Sequence, residues 1–146
     1  MAQPASLYLA RQLVREMPFA AQRTFRDAAA GAASTFIAAF DIGLAVTDQN
    51  QFLTPATNPS GDTYVQAIGP FLDCVAFTTG AGGGTLLIEM AVDYTCTLRT
   101  YTSTVVPAST LTNVAGLRIT ARFLRITFTN VTAAAVVEFG AYVRST

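Results

Sequence analysis

The sequence has no lysine, no histidine and no tryptophan, and all nine of its basic residues are arginines. Without histidine the commonest general base and metal ligand are missing, and without lysine no Schiff base can form. The expectation is a protein that is not an enzyme, with no cofactor and no bound metal. Charged residues make up only 12% of the chain, about half of the ~25% of an average soluble domain. Nine acidic residues cancel the nine arginines. No net field therefore draws the protein to nucleic acid or to an anionic membrane, and neither is expected as a partner. Cysteine is scarce as well. Cys74 and Cys96 are too far apart for a CxxC motif and have no histidine to complete a zinc site, so buried free thiols are expected, with a disulfide between neighbouring strands as the alternative. No apolar run reaches the ~18–20 residues of a membrane-spanning helix, and Arg11, Arg15 and Glu16 interrupt the start where a signal peptide would be continuous. Synthesis in the cytoplasm is the expectation.

What the chain does have is apolar surface. Hydrophobic residues form 51% of its 146 positions, and the mean hydropathy is +0.41. That length supports one hydrophobic core without disulfide or metal staples. Leu9, Leu13 and Met17 fall at i, i+4 and i+8 behind Ser6 as an N-cap, which predicts a helix that Pro18 stops. Residues 19–31, FAAQRTFRDAAAG, are Ala-rich and predict another helical turn or two.

From Ser34 the apolar period changes to two. Phe36, Ala38, Phe40, Ile42, Leu44 and Val46 alternate with smaller or polar residues and predict the first strand. Residues 47–62, TDQNQFLTPATNPSGD, read as a long loop. Six further strands are expected over 63–68, 71–78, 85–92, 95–105, 117–129 and 133–143, with turns at Gly69-Pro70, Gly80–Gly84, Asp93-Tyr94, Pro107, Ala115-Gly116 and Asn130-Val131. The apolar parity slips at Phe123-Leu124, which predicts a β-bulge. The reading is an all-β protein: an antiparallel, jelly-roll-like β-sandwich over 34–146, preceded by a partly helical N-terminal arm over 1–33.

Few residue groups in this chain could carry chemistry. The GAGGG at 80–84 lacks the lysine and the following helix of a phosphate loop and reads as a flexible turn. Asp48, Asn50 and Asp62 lack the spacing of a calcium loop. Asn130-Val131-Thr132 fits a glycosylation sequon but reads as a turn. Arg118, Arg122 and Arg125, interleaved with Phe123 and Phe128, form a possible ligand face for sugars or carboxylates. The alternative is that they pair across strands with Glu89 or Glu138.

The segments GGGTLLIEMAVDYT at 82–95, VVPAST at 105–110 and RFLRITFTNVTAAAVVEFGAYV at 122–143 resemble small jelly-roll virion proteins of tailed bacteriophages. The resemblance covers about the last ~65 residues and implies a capsid-decoration or head-spike base protein, oligomeric and without catalytic residues. Discoidin-like carbohydrate-binding modules show a similar arginine-bearing strand. That likeness implies aromatic platforms in the loops, for which Phe52, Tyr64 and Tyr94 are the candidates.

A closed sandwich has no room for the apolar stripe of the arm, so its cover is expected on another chain. Leu9, Leu13, Met17, Phe19 and Phe25 supply the apolar anchors, with Arg11, Arg15 and Arg23 as clamps on acidic neighbours. The expected function is structural, cementing or decorating a phage capsid through contacts with copies of itself and with the major capsid or other virion proteins. A sugar-binding module of a fibre or cell-surface protein is the alternative.

Overall fold

In the computed structural model, which describes residues 21–42 and 59–145, the period-two segments are strands and no residue is helical. The strands are β1 (Ala21–Asp27), β2 (Thr35–Asp41), β3 (Tyr64–Gln66), β4 (Phe71–Thr78), β5 (Gly84–Ala91), β6 (Arg99–Val106), β7 (Thr112–Arg118), β8 (Phe123–Asn130) and β9 (Val137–Arg144). They form a four-stranded sheet ordered β1-β9-β4-β7 and a five-stranded sheet ordered β3-β2-β8-β5-β6. Every pairing is antiparallel except β2 with β3.

Alternation explains how the two sheets share one core. Leu72, Cys74 and Ala76 of β4 and Val137, Phe139, Ala141 and Val143 of β9 point inward from one sheet. Ala38 and Phe40 of β2, Leu86, Ile88 and Met90 of β5, and Leu124, Ile126 and Phe128 of β8 meet them from the other. The result is a β-sandwich.

Four phenylalanines bind the layers at one end of it. Phe25 of β1 stacks on Phe139 of β9 at 5.7 Å, and Phe36 of β2 lies 6.4 Å from Phe128 of β8. Phe25 reaches Phe36 at 6.1 Å and Phe128 reaches Phe139 at 6.2 Å, which are the contacts between the sheets. These separations suit offset or tilted aromatic pairs.

Several expectations need correction. Residues 21–27 are not helical. They pair with β9 from Ala21↔Val143 to Asp27↔Val137, because seven residues of sheet hydrogen bonding outweigh a weak helical propensity. The predicted 117–129 strand is two strands in different sheets, β7 and β8. The parity slip at Phe123-Leu124 marks the start of β8 after the chain has crossed from one sheet to the other, and no bulge is needed. Ala115-Gly116, predicted as a turn, is a bulge inside β7: Leu72 pairs with Leu117 and Cys74 with Val114, leaving two residues of β7 opposite Asp73 alone. Gly116 takes φ +66°, a conformation costly for any residue with a Cβ.

The glycine run is also more than a flexible link. Gly83 has φ +68°, and a Cβ there would lie 2.3 Å from the Val106 carbonyl oxygen. Both thiols are free; Cys74 is buried but Cys96 is exposed, against the expectation for the second. Burial pushes the Cys74 thiol up to about 11, so it stays protonated and inert at neutral pH.

The helix expected behind Ser6, the continuation of the first strand through Leu44 and Val46, and the loop over 47–58 lie outside the described residues. Among those that are described, no helix is long and apolar enough to cross a membrane.

Candidate functional site

The alternation that sends Leu124, Ile126 and Phe128 inward sends Arg125 to the outer face of the five-stranded sheet. Strand register then sets its neighbours. Tyr64 pairs with Ala39, Ala39 with Arg125, Arg125 with Glu89 and Glu89 with Thr100, so one row of outward residues crosses all five strands.

Arg125 sits between two carboxylates. Its Nε and Nη2 donate to Glu89 Oε1 at 3.0 and 2.9 Å, and its Nη1 donates to Asp62 Oδ2 at 3.0 Å. Asp62 also accepts from the Ser60 hydroxyl, which lies 2.8 Å from the Tyr64 phenol. The Tyr64 ring stands edge-on to Phe123 at 5.5 Å. Burial works against the Asp62 carboxylate, but the Ser60 and Arg125 hydrogen bonds outweigh it and hold its pKa below the ordinary value. This chain of contacts fastens the segment that leads into β3 onto the sheet.

Arg122, in the crossover before β8, donates from Nε and Nη2 to Asp41 Oδ1 and Oδ2 at 2.9 and 3.2 Å. Its guanidinium lies 4.8 Å from the centre of the Phe123 ring. Two-pronged arginine–carboxylate pairing is the strongest form such a bond takes.

The possible ligand face therefore does not assemble. Arg118 is an exposed residue of β7 in the other sheet, while Arg122 and Arg125 are occupied by carboxylates of their own chain. Arg125 has the partner Glu89 that cross-strand reasoning offered. Glu138 instead pairs with Arg26, at 3.4 Å on a well-exposed surface.

Of the expected partner-binding residues, Leu9, Leu13, Met17, Phe19, Arg11 and Arg15 lie outside the described residues. Phe25 finds its cover inside its own sandwich, against Phe139 and Phe36. Arg23 lies with its guanidinium 5.2 Å from the Phe25 ring. Both belong to a strand of the sheet because register with β9 places them there.

A third clamp, which sequence reasoning missed, lies on the outer face of the four-stranded sheet. Arg144 Nε donates to Asp73 Oδ2 at 2.6 Å, and the Gly116 amide at the bulge donates to Asp73 Oδ1 at 2.7 Å. The hydrogen bond from Arg144 lowers the Asp73 pKa; burial opposes it, and the Gly116 amide adds to the lowering.

The two depressed carboxylates set a pH dependence. Their contribution to stability is complete above the ordinary value of 3.8 and is lost as the pH falls through their lower folded values. Urea titrations should therefore show stability declining below about pH 4. The Asp73→Asn variant should show a shallower decline. An unchanged acid limb in that variant would remove Asp73 from the account.

The described residues also line shallow concavities. One, of about 440 Å³, lies over the four-stranded sheet between Arg26, Val75, Leu111, Glu138 and Tyr142. Another, of about 400 Å³, is apolar and gathers Ile42, Ala67, Ile68, Pro70 and Ile119 at one end of the sandwich. Among the described residues no three His, Cys, Asp or Glu side chains cluster to hold a metal, and Asp62 of the calcium alternative is held by Arg125 and Ser60.

The described residues thus define an all-β sandwich whose outer faces carry internally matched arginine–carboxylate clamps. No protein-family model matches the sequence, and no curated protein matches it significantly. Among solved structures the chain is similar to the PBSX exported protein XepA, with a TM-score of 0.60 and 16% identity over 86% of this chain and 37% of that one. PirA aligns with a TM-score of 0.45 and 11% identity over 84% of this chain and 92% of that one. The XepA likeness is one of fold alone, and the chain spans 37% of XepA's length.

Proposed function

We propose that the protein is a non-enzymatic structural component of a phage particle, binding copies of itself and the major capsid or other virion proteins to decorate or cement the shell. The observation that carries this reading is where the charge goes. Arg26, Arg122, Arg125 and Arg144 are matched to Glu138, Asp41, Glu89, Asp62 and Asp73 within the chain. Ile68, Val92, Val105, Leu111 and Val131 remain more than half exposed. A scaffold of this kind suits binding by shape and apolar contact at several places on its surface.

Strand order supports the same reading. With β3 set aside, the orders β1-β9-β4-β7 and β2-β8-β5-β6, with a change of sheet at every connection except β5 to β6, support a jelly-roll reading. The resemblance of the C-terminal half to small phage virion proteins points in the same direction. The carbohydrate reading has less behind it, because Tyr64 and Arg122 are both engaged within the chain.

Mass spectrometry of gradient-purified particles from the phage or prophage that encodes the chain provides the test. The protein is expected at a fixed ratio to the major capsid protein. A variant lacking residues 1–20 should melt like the full chain yet fail to join the particle. Particles that assemble normally and contain none of the protein would end the proposal.

A further inference from the structure

Among the described residues four strand edges bound the two sheets, and three of them carry features that discourage pairing with another chain. β3 is only three residues long. β1 carries Arg23, Arg26 and Asp27. β7 is broken by the Gly116 bulge and ends in Arg118. β6 differs from all three: Arg99 is its one charge, and Thr100, Tyr101, Thr102, Ser103, Thr104, Val105 and Val106 follow without proline or glycine. β6 also carries an extra residue, Tyr101, but near its start, so five residues from Thr102 to Val106 stay in regular register where the β7 bulge leaves three and two. Among the described residues no strand covers its outer edge.

The order of residues along this edge is self-complementary. An antiparallel copy related by a two-fold axis at Ser103 sets Thr102 opposite Thr104 and Tyr101 opposite Val105, each pair formed twice. Tyr101 and Val105 are 49% and 72% exposed, so two solvent-facing apolar side chains would cover each other. Aromatic–β-branched and Thr–Thr pairs are among the favourable cross-strand neighbours. Charge does not oppose the pairing. The two Arg99 side chains would lie eight residues apart along the strands, about 27 Å, well beyond the ~10 Å over which exposed charges act at moderate salt.

We propose that the β6 edge pairs with the β6 edge of a second copy, joining two five-stranded sheets into one. The proposal stands on this edge alone and holds whether or not the chain is part of a virion. An interface of this length falls below the ~1,200 Å² of a stable complex, so association is expected in the micromolar range.

Light scattering coupled to size exclusion over about 1–500 µM full-length protein tests it. The mass should rise from 15.4 kDa towards twice that value. Ser103→Lys and Ser103→Glu place like charges on the two-fold axis, and each variant alone should stay monomeric while melting like the wild type. Mixing the two should restore the dimer at least tenfold more strongly than either shows alone. A wild-type chain that stays monomeric throughout, a Ser103→Lys variant that associates undiminished, or a mixture that does not recover would each overturn the proposal.

Discussion

Replacing Phe139 by alanine is expected to cost about 3–5 kcal/mol, a large share of the ~5–15 kcal/mol that holds a typical domain together. Phe139 is 2% exposed and stands at the corner of the four-phenylalanine cluster, touching Phe25 in its own sheet and Phe128 in the other. Truncation removes its contacts in both directions, and the cavity lies beneath β1. Among the described residues that strand has only β9 as a neighbour in its sheet, so loss of Phe139 should loosen it first. Urea unfolding followed by circular dichroism would measure the cost, and hydrogen exchange at Ala21–Asp27 would show where it falls. Phe25→Ala should cost less, because Phe25 is only partly buried. Equal costs would mean that burial does not set the penalty within the cluster.

The second large effect is expected at Asn130, whose side chain is fully buried at the end of β8. Its Oδ1 accepts from the Thr78 hydroxyl at 2.7 Å, and its Nδ2 donates to the carbonyls of Gly31 and Thr132. The Thr78 hydroxyl in turn accepts from the Gly80 amide at 3.0 Å. One amide therefore ties β8 to β4 and to the turn after β1. Asn130→Asp keeps the shape but loses both donors and buries a charge, which should cost about 3 kcal/mol at neutral pH.

The pH dependence of that cost has a definite sign. Burial raises a carboxyl pKa, so the ionisation part of the penalty is absent below the unfolded value near ~3.9 and grows as the pH rises towards the folded one, while the loss of one donor persists at every pH. The variant should thus recover stability on acidification, in the same range where the wild type begins to lose it. A penalty independent of pH would mean that the introduced carboxylate reaches water. The burial of Asn130 also removes it as a glycan acceptor, for a reason its sequon does not reveal.

Particular residues show how much of this was legible beforehand. β2, β4, β5 and β9 were readable from apolar residues at a period of two, most regularly in β5, where Leu86, Ile88 and Met90 alternate with Thr85, Leu87 and Glu89. β1 was not, because AAQRTFRD has the local preferences of a helix and becomes a strand only through β9, more than a hundred residues later. β7 was hidden by Ala115-Gly116, where a bulge and a turn use the same residues. At the candidate site, Glu89 for Arg125 was among the partners offered. Asp41 for Arg122 was not, since those residues are 81 positions apart and meet only because β2 lies beside β8. The role of Asn130 had one trace in the sequence, its place at the end of an apolar strand. What surrounds it depends on three separate turns that local pattern cannot assemble.

The pairing of Ala21 with Val143 has a practical bearing on anyone handling the molecule. Adjacent strands run about 4.8 Å apart, so the chain enters its first described strand beside the point where it leaves its last. A purification tag or fluorescent fusion attached after Thr146 therefore starts out from the pole at which the chain enters β1, a full strand length away from the buried contacts of Asn130 with Thr78 and Thr132.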